Sequence, residues 1–224
     1  CLVSLQALLQ RSDFLIPNPY KVMRIPTYIY LNPFYRNCFT SSPERHIFVV
    51  GPPRSGTTLL ANVLANHSNL CSLASETNMF GWRSNYFLYE GGAWRNSYEL
   101  NKLRHSKRNL VELFDSIAAE CRAENSCERF VEKTPQHVFH NRYILRHFPE
   151  SIIFIYRDPR DGFVSSRSNR HIAQKSPQSF SRYWRRCVLS RMNYCRDARI
   201  IDLKYEDFVQ EPEDELKRIM SFLG

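Results

Sequence analysis

The chain has 224 residues, of which 43% are hydrophobic and 24% are charged, a balance that excludes a disordered or fibrous protein. This length predicts one domain with a sizeable core, and no apolar run reaches the roughly 18 residues of a membrane-spanning helix. The 31 Lys and Arg against 22 Asp and Glu leave a net charge of +9. That excess suits a polyanionic partner, and a basic surface that only aids solubility is the alternative.

The cysteines and histidines show no metal-ligand spacing. Cys121 and Cys127 are spaced to clip a short loop, and a reduced pair fits their spacing equally. The chain begins without Met and stops at SFLG as a helix ends, so we expect both termini to be cut.

The first 45 residues differ in composition from the rest. Residues 1–45 hold many of the prolines and aromatic residues, which predicts an irregular arm packed on a core domain, 46–224. That core opens with HIFVVG, residues 46–51, a β-branched and aromatic run that predicts a buried strand. A helix is predicted to follow from Thr57 to Asn66.

The segment between this strand and this helix is a candidate anion-binding loop. Gly51 to Thr58, GPPRSGTT, fits the spacing G-x-x-x-x-G-x-[ST], with Thr57 where a Walker loop carries Lys. Inward-pointing backbone N–H groups, the helix amino terminus and the Arg54 guanidinium favour an anionic group that does not need lysine and magnesium. A plain strand–turn–helix corner is the alternative.

Four further elements are predicted in the middle of the chain. Helical periodicity covers 97–124, and ERFVEK, 128–133, predicts a second strand. Pro135 is a favourable first residue for a helix over QHVFHNRYILRHF. SIIFIYR, 151–157, is the clearest strand in the chain.

A second candidate phosphate site follows this clearest strand. Arg157 is expected at the carboxyl end of the strand, where α/β sheets bind ligands, and Ser165 in the first turns of the next helix. A guanidinium fork and a hydroxyl so placed can hold a phosphate. The neighbouring charged residues are interpreted as a solvated, self-paired cluster: Asp158, Arg160 and Asp161.

The rest of the chain continues the alternation. A helix is predicted over 179–197, a strand within RIIDLKYED, 199–207, and a last amphipathic helix from Pro212. Strands that alternate with helices indicate a mostly parallel sheet covered on both faces. We therefore predict an α/β, three-layer P-loop-like fold with a mostly parallel central sheet flanked by helices.

These motifs together resemble those of the sulfotransferases that use 3′-phosphoadenosine 5′-phosphosulfate (PAPS). PPRSGTT is similar to their 5′-phosphosulfate loop, and Arg157 with Ser165 after a buried strand is similar to their 3′-phosphate motif. The resemblance covers Ile47 to Gly224 and points to the tyrosylprotein and bacterial-type branch of the P-loop sulfotransferase superfamily. It implies in-line transfer of a sulfuryl group from PAPS to a hydroxyl or amine, with 3′-phosphoadenosine 5′-phosphate (PAP) as product and no metal.

The resemblance also implies which residues hold the nucleotide. They belong to the loop, the strand end and a K-Y-E-D motif: Arg54, Ser55, Gly56, Thr57, Thr58, Arg157, Ser165 and Tyr205. In relatives the tyrosine of that motif approaches the nucleotide near its 3′-phosphate, and a packed tyrosine is the alternative for Tyr205. A glycine- and lysine-rich loop that completes the site in several branches would follow the last helix, where the chain ends.

Glu76, Lys133 and Arg54 are the catalytic candidates. Glu76, in LASET, lies in a loop that can return to the site and resembles the glutamate base of tyrosylprotein-type enzymes. Other branches use a histidine, so His67 and His137 are rivals. Lys133 ends a predicted strand and resembles a lysine that offsets charge on the leaving group. Capping or solvated side chains are the alternatives for Glu76 and Lys133.

The acceptor is not specified by these motifs. We expect it to bind against residues 77–127, in which several aromatic side chains could stack on a sugar or ring or form core: Trp82, Tyr86, Phe87, Tyr89 and Trp94. A carbohydrate or a peptidyl tyrosine is expected, in an acidic glycan or peptide, with a lipid and a small phenol as open alternatives. No nucleic acid is expected. The cytoplasm is favoured for the chain as given, with the Golgi lumen as the alternative if an N-terminal anchor has been removed.

Two other functions compete with this interpretation. A P-loop nucleotide kinase or hydrolase is disfavoured because Thr57 replaces the lysine and no convincing strand-end Asp is present for magnesium. A basic polyanion-binding module would use the charge of +9, but the sequence lacks the RNP, zinc-finger and helix-turn-helix motifs that would support it.

Overall fold

All five strands in the described part of the chain run parallel in one sheet. The structure is a computed structural model that describes residues 39–80, 106–149, 151–168 and 176–224. The strands are β1 Ile47–Val50, β2 Leu70–Ser72, β3 Arg129–Lys133, β4 Ile152–Tyr156 and β5 Ile200–Lys204. They lie in the order β2-β3-β1-β4-β5, which confirms the predicted α/β fold with a parallel central sheet.

Helices cover both faces of this sheet and complete three layers. The described helices are one 3₁₀-helix, Pro135–His140, and seven α-helices: α1 Thr57–Ala65, α2 Leu110–Asn125, α3 Asn141–His147, α4 Pro159–Ser166, α5 Pro177–Met192, α6 Tyr205–Gln210 and α7 Pro212–Leu223. On one face α2, α3, α5 and the 3₁₀-helix pack around Phe48 and Phe114. On the other face α1, α6 and α7 pack around Val49 and Leu60. Successive residues of β1 therefore enter opposite layers, which explains its uninterrupted hydrophobic run.

The carboxyl ends of β1, β3 and β4 meet at one edge of the sheet. Val49 pairs with Lys133, and Val50 pairs with Phe154. Because the strands are parallel, the segments that follow them emerge side by side at this edge.

Some predicted elements differ from the observed ones. The sequence-based prediction omits β2, because LCS is only three residues long and has no periodic pattern. The single helix predicted from Pro135 is instead the 3₁₀-helix followed by α3, and the N–H of His137 bonds to the carbonyl of Thr134 three residues back. The prediction also omits α6, a six-residue helix between β5 and Pro212. Of the predicted helix at 97–124, residues 97–105 lie outside the described residues.

A disulfide joins the edge strand β2 to the segment before β3. Cys71 and Cys127 are bonded, with their Cα atoms 6.0 Å apart. The alternative that a Cys121–Cys127 disulfide closes a short loop is therefore wrong. Parallel pairing of β2 with β3 places Cys71, and not Cys121, beside Cys127. Cys121 is a free, buried thiol of α2, and burial raises its pKa to about 11.

The described part of the predicted arm packs against α2 and α3. The Ser42 hydroxyl donates to Asp115 Oδ1 at 2.8 Å, and the Ser42 N–H donates to the His147 carbonyl at 2.7 Å. Residues 1–38 lie outside the described residues. None of the helices in the described ranges combines the length and hydropathy that crossing a bilayer requires.

Loss of the Cys71–Cys127 bond should destabilise the fold. A disulfide that closes a 56-residue loop corresponds to about 4 kcal/mol of unfolding free energy in the chain-entropy model. Cys127→Ser should lower the unfolding free energy by about 2–4 kcal/mol in a denaturant titration.

Cys195→Ser is the matched control, because Cys195 is an exposed free thiol. The unfolding free energy of Cys195→Ser should stay within about 0.5 kcal/mol of the wild-type value. If Cys127→Ser and Cys195→Ser lost the same unfolding free energy, or if a peptide map lacked the 71–127 cross-link, the Cys71–Cys127 disulfide would be ruled out.

Candidate active site

Two glycines shape the loop between β1 and α1. Gly51 has a φ of +153°, and a Cβ there would lie 2.0 Å from the Ile155 carbonyl oxygen. Gly56 has a φ of +92°, and a Cβ there would lie 2.5 Å from Cδ2 of the Tyr205 ring. Backbone conformation and close approach both require glycine at these positions. The loop is therefore pressed against β4 and the start of α6.

The amino terminus of α1 has no side-chain cap. Its N-cap residue is Gly56, and its first turn contains no acidic residue. The N–H groups of Thr57 and Thr58 belong to the first turn, where backbone donors lack intrahelical partners and the helix dipole favours an anion. This end of α1 is therefore suited to an anionic ligand.

A cavity of about 420 Å³ opens at this edge of the sheet, a size typical of small-ligand sites. Its lining residues come from the loop and α1, the segment after β2, the 3₁₀-helix, the end of β4, α4 and α6, where Arg157 directly follows β4: Pro53, Arg54, Gly56, Thr57, Thr58, Leu59, Glu76, Pro135, Gln136, Arg157, Ser165 and Tyr205. Both predicted phosphate-binding motifs thus reach one cavity.

Arg157 follows β4 and stacks on the Tyr205 ring. Its Cζ atom lies 4.4 Å from the ring centroid. The indole N–H of Trp184 donates to the Arg157 carbonyl at 2.9 Å and fixes its backbone. Arg157 Nε is buried without a hydrogen-bond partner, and no carboxylate among the described residues forms a salt bridge with this guanidinium. Its donors therefore remain available to an anion in the cavity.

Ser165 contacts Arg54 rather than Arg157. Arg54 Nε–H donates to Ser165 Oγ at 3.1 Å. Ser165 lies in the second turn of α4, and Arg54 has a φ of +66° in the loop. The two motifs therefore touch each other within the cavity.

The charges next to Arg157 are paired with each other. Asp158 Oδ1 accepts the Arg160 N–H at 2.8 Å and begins α4, and the Arg160 guanidinium returns to Asp158 Oδ2 at 2.6 Å. These hydrogen bonds from Arg160 lower the pKa of Asp158 to about 2. Neither residue lines the cavity. Asp161, the third member of the predicted cluster, forms no salt bridge with a cation among the described residues, so the self-paired cluster is limited to Asp158 and Arg160.

Glu76 and Lys133 meet at the carboxyl end of β3. Lys133 Nζ lies 3.4 Å from Glu76 Oε1. The Lys133 side chain is 7% exposed, and the Glu76 side chain is 37% exposed. Glu76 lines the cavity, whereas Lys133 lies behind it. The pair places a carboxylate at the cavity wall with a buried cation beside it, an arrangement suited to accepting a proton near a developing negative charge.

A buried polar network lies beside this pair. Glu132 is fully buried, and its Oε1 accepts the hydroxyls of Thr77 at 2.7 Å and Thr134 at 2.5 Å. His137 Nε2 accepts the N–H of Phe80 at 3.3 Å, so its Nδ1 carries the proton and donates to Glu132 Oε2 at 2.9 Å. Burial alone would raise the pKa of Glu132, but the His137 ring and the two hydroxyls hold this pKa below its usual range.

Neither rival histidine is placed to act as the base. Both ring nitrogens of His137 are engaged within the network, and the side chain is 1% exposed. His67 follows the carboxyl end of α1, and a helix of nine residues puts it about 13 Å from the loop. Glu76 lines the cavity, whereas neither histidine does.

The lining includes residues that sequence reasoning missed: Pro53, Leu59, Pro135 and Gln136. Pro53 and Leu59 lie within the predicted loop and helix, so the motif itself could have included them. Gln136 is exposed at the start of the 3₁₀-helix, directly after Pro135. It belongs to no recognisable motif, so sequence reasoning had no basis for including it. Of the predicted residues, Ser55 is buried and does not line the cavity.

The cavity fits a ligand with separate anionic groups. The loop supplies Arg54 and backbone donors, and Arg157 supplies a guanidinium whose buried Nε has no partner. Within the ranges that the structure describes, no group of three or more His, Cys, Asp or Glu side chains is placed to hold a metal ion.

Comparisons with known proteins agree with this geometry. A family model described as "Sulfotransferase family" matches residues 46–224. A putative protein-tyrosine sulfotransferase of Caenorhabditis briggsae is 27% identical over 193 residues, which cover 82% of this chain and 66% of that protein. A protein-tyrosine sulfotransferase of Drosophila melanogaster is 25% identical over 191 residues, which cover 79% of this chain and 37% of that protein. The chain thus spans only part of the length of both relatives.

A solved structure shares the fold. The sulfotransferase domain of the Synechococcus PCC 7002 olefin synthase aligns with a TM-score of 0.54 and 20% identity, over 82% of this chain and 74% of that chain. The range matched by the family model includes every residue that lines the cavity. This chain belongs to the sulfotransferase family.

Proposed function

We propose that residues 46–224 form the catalytic domain of a PAPS-dependent sulfotransferase. One observation carries the proposal: the Arg54 loop and Arg157 line the same cavity. PAPS, an adenosine with anionic groups at its 5′ and 3′ positions, supplies the activated sulfuryl group. An acceptor hydroxyl receives that group, and PAP is the product.

The two anionic ends of the nucleotide would bind to different parts of the cavity. Thr57 and Thr58, at the uncapped start of α1, would hold the 5′-phosphosulfate together with Arg54. Arg157, supported by the Tyr205 ring, would hold the 3′-phosphate. The contact between Arg54 and Ser165 favours this division, because it keeps the two sites adjacent.

The acceptor would be activated at the Glu76 side of the cavity. Glu76 would take the proton of the acceptor hydroxyl, and Lys133 would offset negative charge on the leaving oxygen. Arg54 would stabilise the sulfuryl oxygens. The proposal includes no metal, because these side chains supply the positive charge that magnesium supplies in P-loop kinases.

The acceptor is proposed to be a peptidyl tyrosine or a carbohydrate hydroxyl in an acidic molecule. The relatives that are 27% and 25% identical are named as protein-tyrosine sulfotransferases. Three exposed arginines lie on α5, which the Trp184 hydrogen bond holds beside Arg157: Arg182, Arg185 and Arg186. None of the three forms a salt bridge with a described carboxylate, so they can attract an anionic acceptor. Residues 81–105, within the region expected to hold the acceptor, lie outside the described residues.

An oxidising compartment is proposed for the domain. Disulfides persist in secretory compartments and are rare in the cytosol, so the Cys71–Cys127 bond favours the Golgi lumen over the cytoplasm. The arm, 1–45, is proposed to continue the packing that Ser42 begins against α2 and α3.

PAP should stabilise the chain without magnesium. At a concentration about 100-fold above its Kd, PAP should raise the melting temperature by about 5–10 °C, because it binds only the folded state. Adenosine 5′-monophosphate, which lacks the 3′-phosphate, should give a smaller shift.

A response to Mg-ATP with none to PAP would favour a nucleotide kinase or hydrolase instead. A response to heparin alone that moderate salt abolishes would favour a polyanion-binding module.

Arg157→Ala should weaken PAP binding by about 10- to 100-fold in calorimetry, because a charged hydrogen-bond donor to phosphate is lost. Arg146→Ala removes an exposed arginine of α3 that does not line the cavity, and it should leave the Kd within about twofold. Equal PAP affinity in wild type and Arg157→Ala would remove Arg157 from the site.

Glu76→Gln should lower kcat by about 100-fold or more, because the amide cannot accept the acceptor proton. PAP affinity should stay within about twofold of wild type. The control Glu213→Gln changes an exposed carboxylate of α7 outside the cavity lining and should leave both quantities unchanged. Near-normal turnover in Glu76→Gln would assign the base to another group.

A further inference from the structure

The segment that carries Glu76 is held against the end of β3 by two adjacent side-chain contacts. Glu76 Oε1 lies 3.4 Å from Lys133 Nζ, and the next residue, Thr77, donates its hydroxyl to Glu132 at 2.7 Å. Successive residues of a strand point to opposite faces of the sheet. Glu76 and Thr77, which are adjacent in the segment, therefore contact Lys133 and Glu132, whose side chains point to opposite faces of the sheet.

Two backbone contacts continue this attachment. The N–H of Asn78 donates to Thr134 Oγ1 at 3.2 Å, and the N–H of Phe80 donates to His137 Nε2 at 3.3 Å. Thr134 and His137 in turn both donate to the Glu132 carboxylate. Three hydrogen bonds of this segment, those of Thr77, Asn78 and Phe80, thus lead to Glu132, directly or through one intermediate side chain. Met79 and Phe80 are also buried in the hydrophobic core, so these hydrogen bonds add to apolar packing.

We propose that Glu132 is a positioning residue that holds the segment 76–80 against β3 and thereby keeps the Glu76 carboxylate at the cavity wall. The inference rests on the proposed sulfuryl transfer, in which Glu76 takes the acceptor proton. Glu132 itself does not line the cavity, so it acts through Glu76 and not on the substrate.

The chemistry of Glu132 favours positioning over simple packing. A carboxylate without any exposed surface is costly to desolvate, and a hydrophobic side chain would fill the core at least as well. A carboxylate alone offers two oxygens that accept three donors from two separate segments of chain. Because a displacement of about 1 Å in a catalytic group can cost about 100-fold in rate, such a fixed geometry has a direct kinetic value.

Thr77→Val and Thr77→Ser form a matched pair that tests the proposal. Valine keeps the shape of this buried side chain but removes the donor to Glu132, whereas serine keeps the donor. In Thr77→Val, amide hydrogen exchange in 76–80 should accelerate at least about tenfold, and kcat should fall by about 10- to 100-fold. PAP affinity and the KM for PAPS should stay within about twofold. Thr77→Ser should remain within about threefold of wild type in every quantity.

Glu132→Gln is a second variant that preserves size. Its amide oxygen can still accept hydroxyls, but its NH₂ group meets the N–H of His137, so the network is lost on one side. We expect the same loss of kcat with intact PAP binding. The double variant Thr77→Val/Glu132→Gln should have a kcat within about twofold of the kcat of the slower single variant, because both substitutions act through one network.

The outcomes separate this inference from the proposed function. Unchanged exchange in Thr77→Val, or faster exchange with an unchanged kcat per PAP-binding site, would overturn the positioning role. A wild-type chain that binds no PAP and transfers no sulfuryl group would instead overturn the proposed function. In that case the exchange rates still decide, without any activity measurement, whether Glu132 holds the segment.

Discussion

The close approach of Gly56 to the Tyr205 ring is the constraint on which the cavity depends. A Cβ at Gly56 would lie 2.5 Å from that ring, and the same ring carries the Arg157 guanidinium with Cζ 4.4 Å from its centroid. Parts of the chain that follow β1, β4 and β5 therefore pack as one unit at the edge of the sheet. A larger residue at Gly56 would push the loop away from Arg157 and separate the two groups of donors that are proposed to bind the nucleotide.

The charges at this edge are distributed so that the cations stay available. Glu76 is the acidic residue among those that line the cavity, and it is paired with Lys133 behind the wall. Arg54 bonds to a neutral hydroxyl, and Arg157 lies on an aromatic ring. Neither guanidinium is neutralised by a described carboxylate, so the cavity retains the positive potential that a doubly phosphorylated nucleotide requires.

Local sequence patterns predicted the elements whose composition or glycine spacing is distinctive over a few residues. Contacts between segments that are distant in the sequence could not be predicted. The run SIIFIY marked β4, and GPPRSGTT marked the loop, because glycine spacing and hydrophobic composition act within a few residues. The disulfide partner of Cys127 depends on the pairing of β2 with β3, which no spacing in the sequence reveals. Glu132 gave no indication of its role either, because its partners become neighbours only after the strand and the Glu76 segment have folded together.

One nucleotide is proposed to span the Arg54 loop and Arg157, and the position of PAP in a crystal structure of its complex with this chain would test this binding mode. We expect the 5′-phosphate to lie against the backbone amides at Thr57 and Thr58, and the 3′-phosphate to lie against Arg157. A nucleotide bound elsewhere, or one with its 3′-phosphate in solvent away from Arg157, would rule out this binding mode.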